Sequence, residues 1–281
     1  MMDIDFLKTW EGRQELGHDL IGPEPAKALA AVLDRDDPLP QAGDPLPLPW
    51  HWLYFLPRVK TAELGVDGHP KRGGFLPPVP LPRRMWAGSR IQCHSPLCIG
   101  DEVQRASTIK AVNAKEGKSG QLVFVTVLHE MSVGGQLALS EEQDIVYREE
   151  PSADAPAPRT LPAPAQAQWR RDISPGPVML FRYSALTFNS HRIHYDRPYA
   201  TQEEGYPGLV VHGPLTATLL LDLLYRQHRD VRVKQFEFSA VRPISDLATF
   251  QVQGREDDAQ VHLWALDGTG ALAMKARAVI E

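Results

Sequence analysis

The chain predicts an α+β protein made of two similar halves, each an antiparallel sheet wrapped round a central helix. Three observations carry that expectation. A Pro- and Ala-rich segment, residues 151–168, separates residues 1–150 from residues 169–281. Beyond it, a continuous apolar helix is followed by strand-like runs joined by tight turns. Before it, a short amphipathic helix precedes four more strand-like runs.

In the first half, residues 25–33 place Ala26, Leu29, Ala30 and Leu33 on one helical face. Residues 50–56 (WHWLYFL) form an apolar run whose periodicity does not choose between helix and strand. Strand candidates follow at 85–93, 102–112, 121–129 and 137–147, with Gly117 and Gly120 marking a turn between two of them. The segment 151–168 (PSADAPAPRTLPAPAQAQ) has few charges and no apolar period, and reads as an extended, semi-rigid linker.

In the second half, residues 178–188 (VMLFRYSALTF) read as a buried strand, and residues 189–208 as a polar loop. A helix then starts through His212, Gly213 and Pro214. Proline is favoured at the first helical position, and LTATLLLDLLYRQH is apolar nearly all round. Strands are expected at 233–241, 249–254, 261–266 and 271–280, the last two joined by an Asp267-Gly268 hairpin turn. A strand, a buried helix and an antiparallel meander make the layout of a hotdog domain. Two such halves make a double hotdog.

Composition narrows the function. A net charge of -5 argues against nucleic acid, so an anionic ligand must meet local clusters of Arg and Lys. The apolar runs are too short to span a bilayer, and Asp3 and Asp5 sit where a signal peptide carries positive charge. Cys93 and Cys98 lack metal or redox spacing and fit a reducing cytosol. These readings point to a cytoplasmic protein with a small-molecule ligand; a homo-oligomer is compatible with them.

The chemistry concentrates in residues 188–200 (FNSHRIHYDRPYA), between the expected strand and the buried helix. Polar groups there can face a cavity with apolar walls, where a histidine is readily tuned for proton transfer. His194 is the candidate base, and His191, three residues earlier, assists it or binds the ligand. The Gly213 N–H, at a helix N-terminus and without a neighbouring Cβ, suits a carbonyl oxygen. HxxHxD also hints at a metal, but no further ligands at familiar spacing complete such a site, so none is expected. Two basic pairs, Lys71-Arg72 and Arg83-Arg84, with Arg90 nearby, are candidates for anion binding; the first pair also suits a solvated loop.

These residues resemble the MaoC-like, (R)-specific enoyl-CoA hydratase family, whose signature is Asp-x-Asn-Pro-[Leu/Ile/Val]-His-x-Asp followed by a His-Gly turn before the hotdog helix. Ile193-His194-Tyr195-Asp196 matches its second half, and Val211-His212-Gly213-Pro214-Leu215 its helix start. The first half departs: Asn189 stands at the catalytic Asp, His191 at the Asn and Arg192 at the Pro. Residues 75–91 and 51–57 are similar to a narrower subgroup with a fatty-acid-synthase-type dehydratase N-terminal half, which includes itaconyl-CoA and mesaconyl-C4-CoA hydratases.

The resemblance implies reversible hydration of itaconyl-CoA or mesaconyl-C4-CoA to citramalyl-CoA, without a metal or redox cofactor, CoA being part of the substrate. It implies a catalytic second half and a first half that holds CoA and closes the pocket. His194 then moves the proton and Gly213 holds the thioester oxygen. Asn189, an amide, orients water or imidazole but cannot act as a base. Asp196 orients an imidazole, and Arg84 or Arg192 takes the free carboxylate by bidentate pairing. Three alternatives remain: a broader (R)-3-hydroxyacyl-CoA dehydratase, a hotdog thioesterase and a non-catalytic acyl-CoA-binding protein.

Overall fold

The structure is a computed structural model that describes residues 2–117, 120–149, 160–164 and 166–281. The first half contributes β1 (Gln14–Leu20), β2 (Arg83–Cys93), β3 (Glu102–Gly117), β4 (Gly120–Val133) and β5 (Gln136–Arg148). The second contributes β6 (Trp169–Ile173), β7 (Val233–Ala240), β8 (Phe250–Asp257), β9 (Gln260–Leu266) and β10 (Leu272–Ile280). Helices are α1 (Ile4–Lys8), α2 (Pro23–Val32), α3 (Pro177–Leu186) and α4 (Gly213–Gln227).

All ten strands join one antiparallel sheet in the order β1-β3-β4-β5-β2-β7-β10-β9-β8-β6. Outward from the β2–β7 seam, the two halves repeat the same strand order. The seam is close-packed: Gly88 pairs with Ser239, and a Cβ on Gly88 would stand 2.3 Å from the Phe238 carbonyl oxygen. Only a residue without a side chain fits there.

Helix α4 is the central helix of the second half. Every residue from Leu215 to Tyr225 is buried, against β8, β9, β10 and β2. Its one acidic residue, Asp222, accepts from Arg35 (2.7 Å), Arg171 (2.7 Å) and Arg226 (2.8 Å). Three guanidinium groups compensate a carboxylate that would otherwise be prohibitively desolvated. Arg35 follows α2, so this cluster ties the first half to the central helix of the second.

Among the described residues the first half has no helix of comparable length. Its ten-residue α2 packs on α3 and on the short 3₁₀ turn Trp50–Leu53, which resolves the ambiguous apolar run at 50–56. Residues from the long connection 46–82 face the β2–β5 portion of the sheet across a cavity of about 1370 Å³.

One expected element is corrected. Residues 178–186 of this run lie in helix α3, entered through Gly176 and Pro177, rather than in a strand. Leu180, Tyr183 and Ser184 are buried on one face while Val178 and Phe181 are exposed, so apolar residues on both faces masked the helical period. The strand role belongs to β6, whose WRRDI sequence alternates exposed and partly buried residues at the edge of the sheet. Edge strand β1 and helix α1 were likewise not expected. Of the linker 151–168, residues 151–159 and 165 lie outside the described residues. The rest of it lies on the sheet: the Leu272 N–H donates to the Leu161 carbonyl (2.8 Å), and Ala163 and Ala167 pack near Trp264. Among the described residues no helix is long and apolar enough to cross a membrane.

Candidate active site

The site begins where α3 ends. Phe188 takes a left-handed backbone (φ 49°), an unusual state for a bulky residue, and turns the chain out of the helix. Asn189 Oδ1 then accepts from the His191 N–H (3.0 Å), and Arg192–His194 forms a 3₁₀ turn. After a π-helical turn at Tyr199–Glu203, the chain returns through Val210 and Val211 to His212, which caps α4.

His194 is buried (7% exposed), and its Nδ1 lies 2.7 Å from the Val210 carbonyl oxygen. A carbonyl only accepts, so Nδ1 carries the hydrogen and Nε2 keeps its lone pair. Burial pushes the imidazole down to about 4, the Val210 bond opposing this only in part, so His194 is neutral at pH 7. His212 stacks on it at 3.7 Å and 20°. The His212 Nε2 meets Ser184 Oγ at 2.8 Å, and its buried Nδ1 has no partner among the described residues. His191 meets His194 edge-on, ring centres 5.4 Å apart. Burial and then the neighbouring imidazoles hold His191 down at about 2.

A fourth imidazole comes from the first half. His69 lies 4.0 Å from His191, its Nδ1 2.9 Å from Asp67 Oδ2, and its backbone N–H donates to Asp67 Oδ1 (3.0 Å). Burial pushes His69 down while the bond to Asp67 opposes it. The loop carrying this pair docks on the 188–196 segment through bonds from the Arg192 N–H to the Asp67 carbonyl and from Ser190 Oγ to the Gly68 carbonyl.

Gly213, the first residue of α4, lines the cavity, and a Cβ there would meet only the Trp86 carbonyl oxygen, at 3.9 Å. As a first-turn residue its N–H has no acceptor within the helix and is free for a ligand oxygen. Arg84, on β2, also lines the cavity, with no carboxylate within 4.0 Å among the described residues. Its neighbour Arg83 is occupied by the Glu204 carbonyl (2.6 Å) and carboxylate (3.6 Å).

Arg192 and Asp196 are placed elsewhere than expected. Two guanidinium nitrogens of Arg192 reach Asp196 Oδ2 (3.0 and 2.8 Å), a third donates to the Val66 carbonyl, and the group lies over the Tyr199 ring (4.1 Å). Neither residue lines the cavity, and Asp196 holds Arg192 and the Tyr199 N–H instead of an imidazole. They brace the loop. Arg90 is paired with Glu142 and Asp144 away from this cavity, and Arg72 with the Val79 and Pro82 carbonyls.

Sequence reasoning missed several wall residues. Asp67 and His69 sit in a Gly-rich loop more than a hundred positions before His191, where only the adjacent Lys71-Arg72 pair carries a signal in sequence. Arg105, from β3, stacks over Phe55 at 4.7 Å. Buried Glu141 accepts from His51, Trp52 and Ser89; burial alone would raise its carboxyl, but the His51 bond and its neighbours win and hold it near 2. Asp67, His69 and His191 each present one donor atom, all within 4.8 Å of one another, so among the described residues these three are the groups that could bind a metal. Both Asp67 oxygens, however, are already engaged by His69.

The chain was compared with known proteins. The family described as hydroxyacyl-thioester dehydratase type 2 matches residues 49–246. The mesaconyl-C(4)-CoA hydratase of Chloroflexus aurantiacus is 49% identical over 277 residues, 98% of each chain. The crystal structure of HtdX from Mycobacterium tuberculosis superposes with a TM-score of 0.67 at 20% identity, covering 95% of this chain and 99% of that one. A second M. tuberculosis protein, reported to have a double hotdog fold, superposes at 0.56 with 14% identity, over 99% of this chain and 98% of its own. The fold is therefore the double hotdog that the element order predicts, and the resemblance seen in the 189–215 segment holds at family level. With its family match spanning most of the cavity lining, both walls of the imidazole cluster and the start of α4, this chain belongs to the hydroxyacyl-thioester dehydratase type 2 family, of MaoC-like architecture.

Proposed function

We propose that this protein hydrates a short, branched dicarboxylic enoyl-CoA, mesaconyl-C4-CoA or itaconyl-CoA, reversibly to citramalyl-CoA. The observation that carries the reading is His194: buried, neutral, its Nδ1–H spent on Val210 and its Nε2 lone pair free at the cavity wall near the start of α4. The relative named mesaconyl-C(4)-CoA hydratase supports the choice of substrate.

For the mesaconyl ester, the His194 Nε2 takes one proton from water as the water oxygen bonds to Cβ. The π electron pair moves to Cα, and the charge reaches the thioester oxygen, held by the Gly213 N–H at the positive end of α4. The imidazolium returns its proton to Cα. A group held near 4 is a strong enough acid to make that return favourable. No metal or redox cofactor enters these steps.

The free carboxylate of the mesaconyl ester is attached to Cβ, so its cation must stand beside the imidazole cluster. Arg84 meets that requirement: it has no carboxylate partner among the described residues, and its charge is felt at His69. In this reading residues 1–150 shape the acyl and CoA pocket, residues 169–281 carry the hydratase groups, and 151–168 joins them. Two free thiols and a CoA substrate fit a cytoplasmic setting.

The test is to incubate the pure protein with mesaconyl-C4-CoA, itaconyl-CoA and crotonyl-CoA and to identify the CoA products by mass. Addition of one water to a dicarboxylic ester is expected, with His194→Ala lowering kcat by about 10²- to 10⁴-fold. Conversion of crotonyl-CoA alone would sink the dicarboxylate reading. Release of free CoA thiol would mark a thioesterase, and binding without turnover a sensor.

A further inference from the structure

We propose that Asp67 and His69, delivered by the first half, form a carboxylate–imidazole pair that holds the reacting water together with His194, in place of the carboxylate absent at position 189. This rests on the hydratase reading above and names a further catalytic residue for it.

A nucleophilic water has two hydrogens to place. His194 Nε2 accepts one of them. Asn189 Oδ1 already accepts from the His191 N–H (3.0 Å), which leaves it a single lone pair, and an amide cannot take up a proton if one moves. His69 meets the need. With Nδ1–H donated to Asp67 Oδ2 (2.9 Å), its Nε2 lone pair is free, and His69, His191 and His194 all line the same cavity. Among the clustered imidazoles His69, His191, His194 and His212, only His69 has a carboxylate partner among the described residues. That partner makes its Nε2 the stronger acceptor and neutralises the imidazolium should a proton move to it.

The placement is built into the backbone. Gly68 has φ +86°, and a Cβ there would stand 1.8 Å from the Ser190 carbonyl oxygen, so the loop approaches the 188–196 segment only because position 68 has no side chain. The Arg192 N–H and Ser190 hydroxyl then clamp the carbonyls of Asp67 and Gly68, on either side of the same turn. The His191 ring neighbours both His69 and His194, its centre 4.0 Å from that of His69 and 5.4 Å from that of His194. A proton on His69 would also be felt at His194, which fits two groups facing one small site.

In the step itself, one water O–H bond breaks, its proton passing to His194 Nε2, and the O–Cβ bond forms while the π pair moves to Cα. The second water hydrogen stays bonded to oxygen and is held by His69 Nε2, which aims the oxygen lone pair at Cβ. The His194 imidazolium then protonates Cα, and the product hydroxyl remains on His69.

The experiment compares wild type, His69→Leu, His69→Gln and Asp67→Asn on the thioester that wild type turns over, with full pH profiles. Wild-type turnover tests the hydratase reading by itself, and the variants test the pair. His69→Leu is expected to lower kcat by about 100-fold with KM within about threefold, since a misplaced reacting group costs about that much. His69→Gln, whose carbonyl still accepts a hydrogen bond, should recover about tenfold of that loss. Asp67→Asn should lower kcat and move the acid limb of kcat/KM to lower pH, because the carboxylate that favours the His69 imidazolium is gone. Nitrogen NMR of the unliganded protein adds a substrate-free readout: His69 is expected as the Nδ1–H tautomer, and Asp67→Asn should shift its titration downward. A His69→Leu enzyme within twofold of wild-type kcat overturns the proposal. So does an Nε2–H tautomer at His69. Loss of activity on chelation, restored by a divalent cation, would assign Asp67, His69 and His191 to a metal and overturn it too.

Discussion

Acidification should destabilise this protein early, and the imidazole cluster sets the size of the effect. An unfolded histidine binds its proton near pH 6.5. Folded His194 does so only at about 4 and folded His191 at about 2, both held down chiefly by burial. Between those limits the unfolded chain binds more protons than the native one, so stability rises with pH. The contribution is complete above about pH 6.5 and is lost as pH falls toward the folded values. Each group costs about 1.4 kcal/mol per pH unit below 6.5. At pH 5 that is about 2 kcal/mol apiece, or about 4 kcal/mol for the two, against a typical total of about 5–15 kcal/mol. His69 and His212 are lowered as well and add in the same direction. Glu141 and Asp67 are held low when folded, so their contributions disappear at still lower pH. The measurement is urea unfolding at pH 7, 6 and 5. With an m-value of about 3 kcal/mol per molar, the midpoint should fall by more than about 1 M between pH 7 and pH 5. His191→Gln should visibly flatten that dependence. A midpoint constant from pH 7 to pH 5 would refute the argument that these rings are buried neutral.

Three further outcomes follow from the packing. Gly68→Ala places a Cβ 1.8 Å from the Ser190 carbonyl oxygen; activity should fall at least about tenfold through displacement of the loop, while calorimetry shows the sheet still melting cooperatively. Asp222→Asn removes the carboxylate that Arg35, Arg171 and Arg226 share, leaving Arg35 only its bond to Asp37 (2.6 Å); a loss of about 3–5 kcal/mol, seen as a fall in Tm of roughly 10 °C, is expected by calorimetry. A shift under about 3 °C would show that solvent already compensates those guanidinium groups. Gly213→Ala meets nothing closer than 3.9 Å, so Tm should stay within about 2 °C; kcat should nevertheless fall, because the new methyl group stands where the thioester oxygen must approach.

Much of the second half was legible because its signals are local. The apolar run 215–225 admits only a buried helix, the Pro214 start and the Asp267-Gly268 turn fix its neighbours, and β7 alternates buried Phe236 and Phe238 with exposed Gln235 and Glu237. His194 and Gly213 were legible for the same reason, as both lie within a few residues of that helix start. The 178–188 run was not, because eleven residues with apolar groups on both faces satisfy either period. Edge strands β1 and β6 hold their places mainly through backbone pairing with β3 and β8, which leaves little hydrophobic pattern to read.

What the sequence by itself determined is thus the class of fold, the central helix and the loop that carries His194. Tertiary structure decided which charges remain available. Arg192 and Asp196, four residues apart, neutralise one another across a 3₁₀ turn, while Arg84, in the cavity wall, has no carboxylate partner among the described residues. It also decided which partner His191 and His194 receive. Asp67 and His69 reach them only because the 65–70 loop crosses from the first half and Gly68 lets two backbones touch. No period or spacing records a contact made across more than a hundred residues, since a carboxylate beside a histidine depends on chain paths and not on sequence distance.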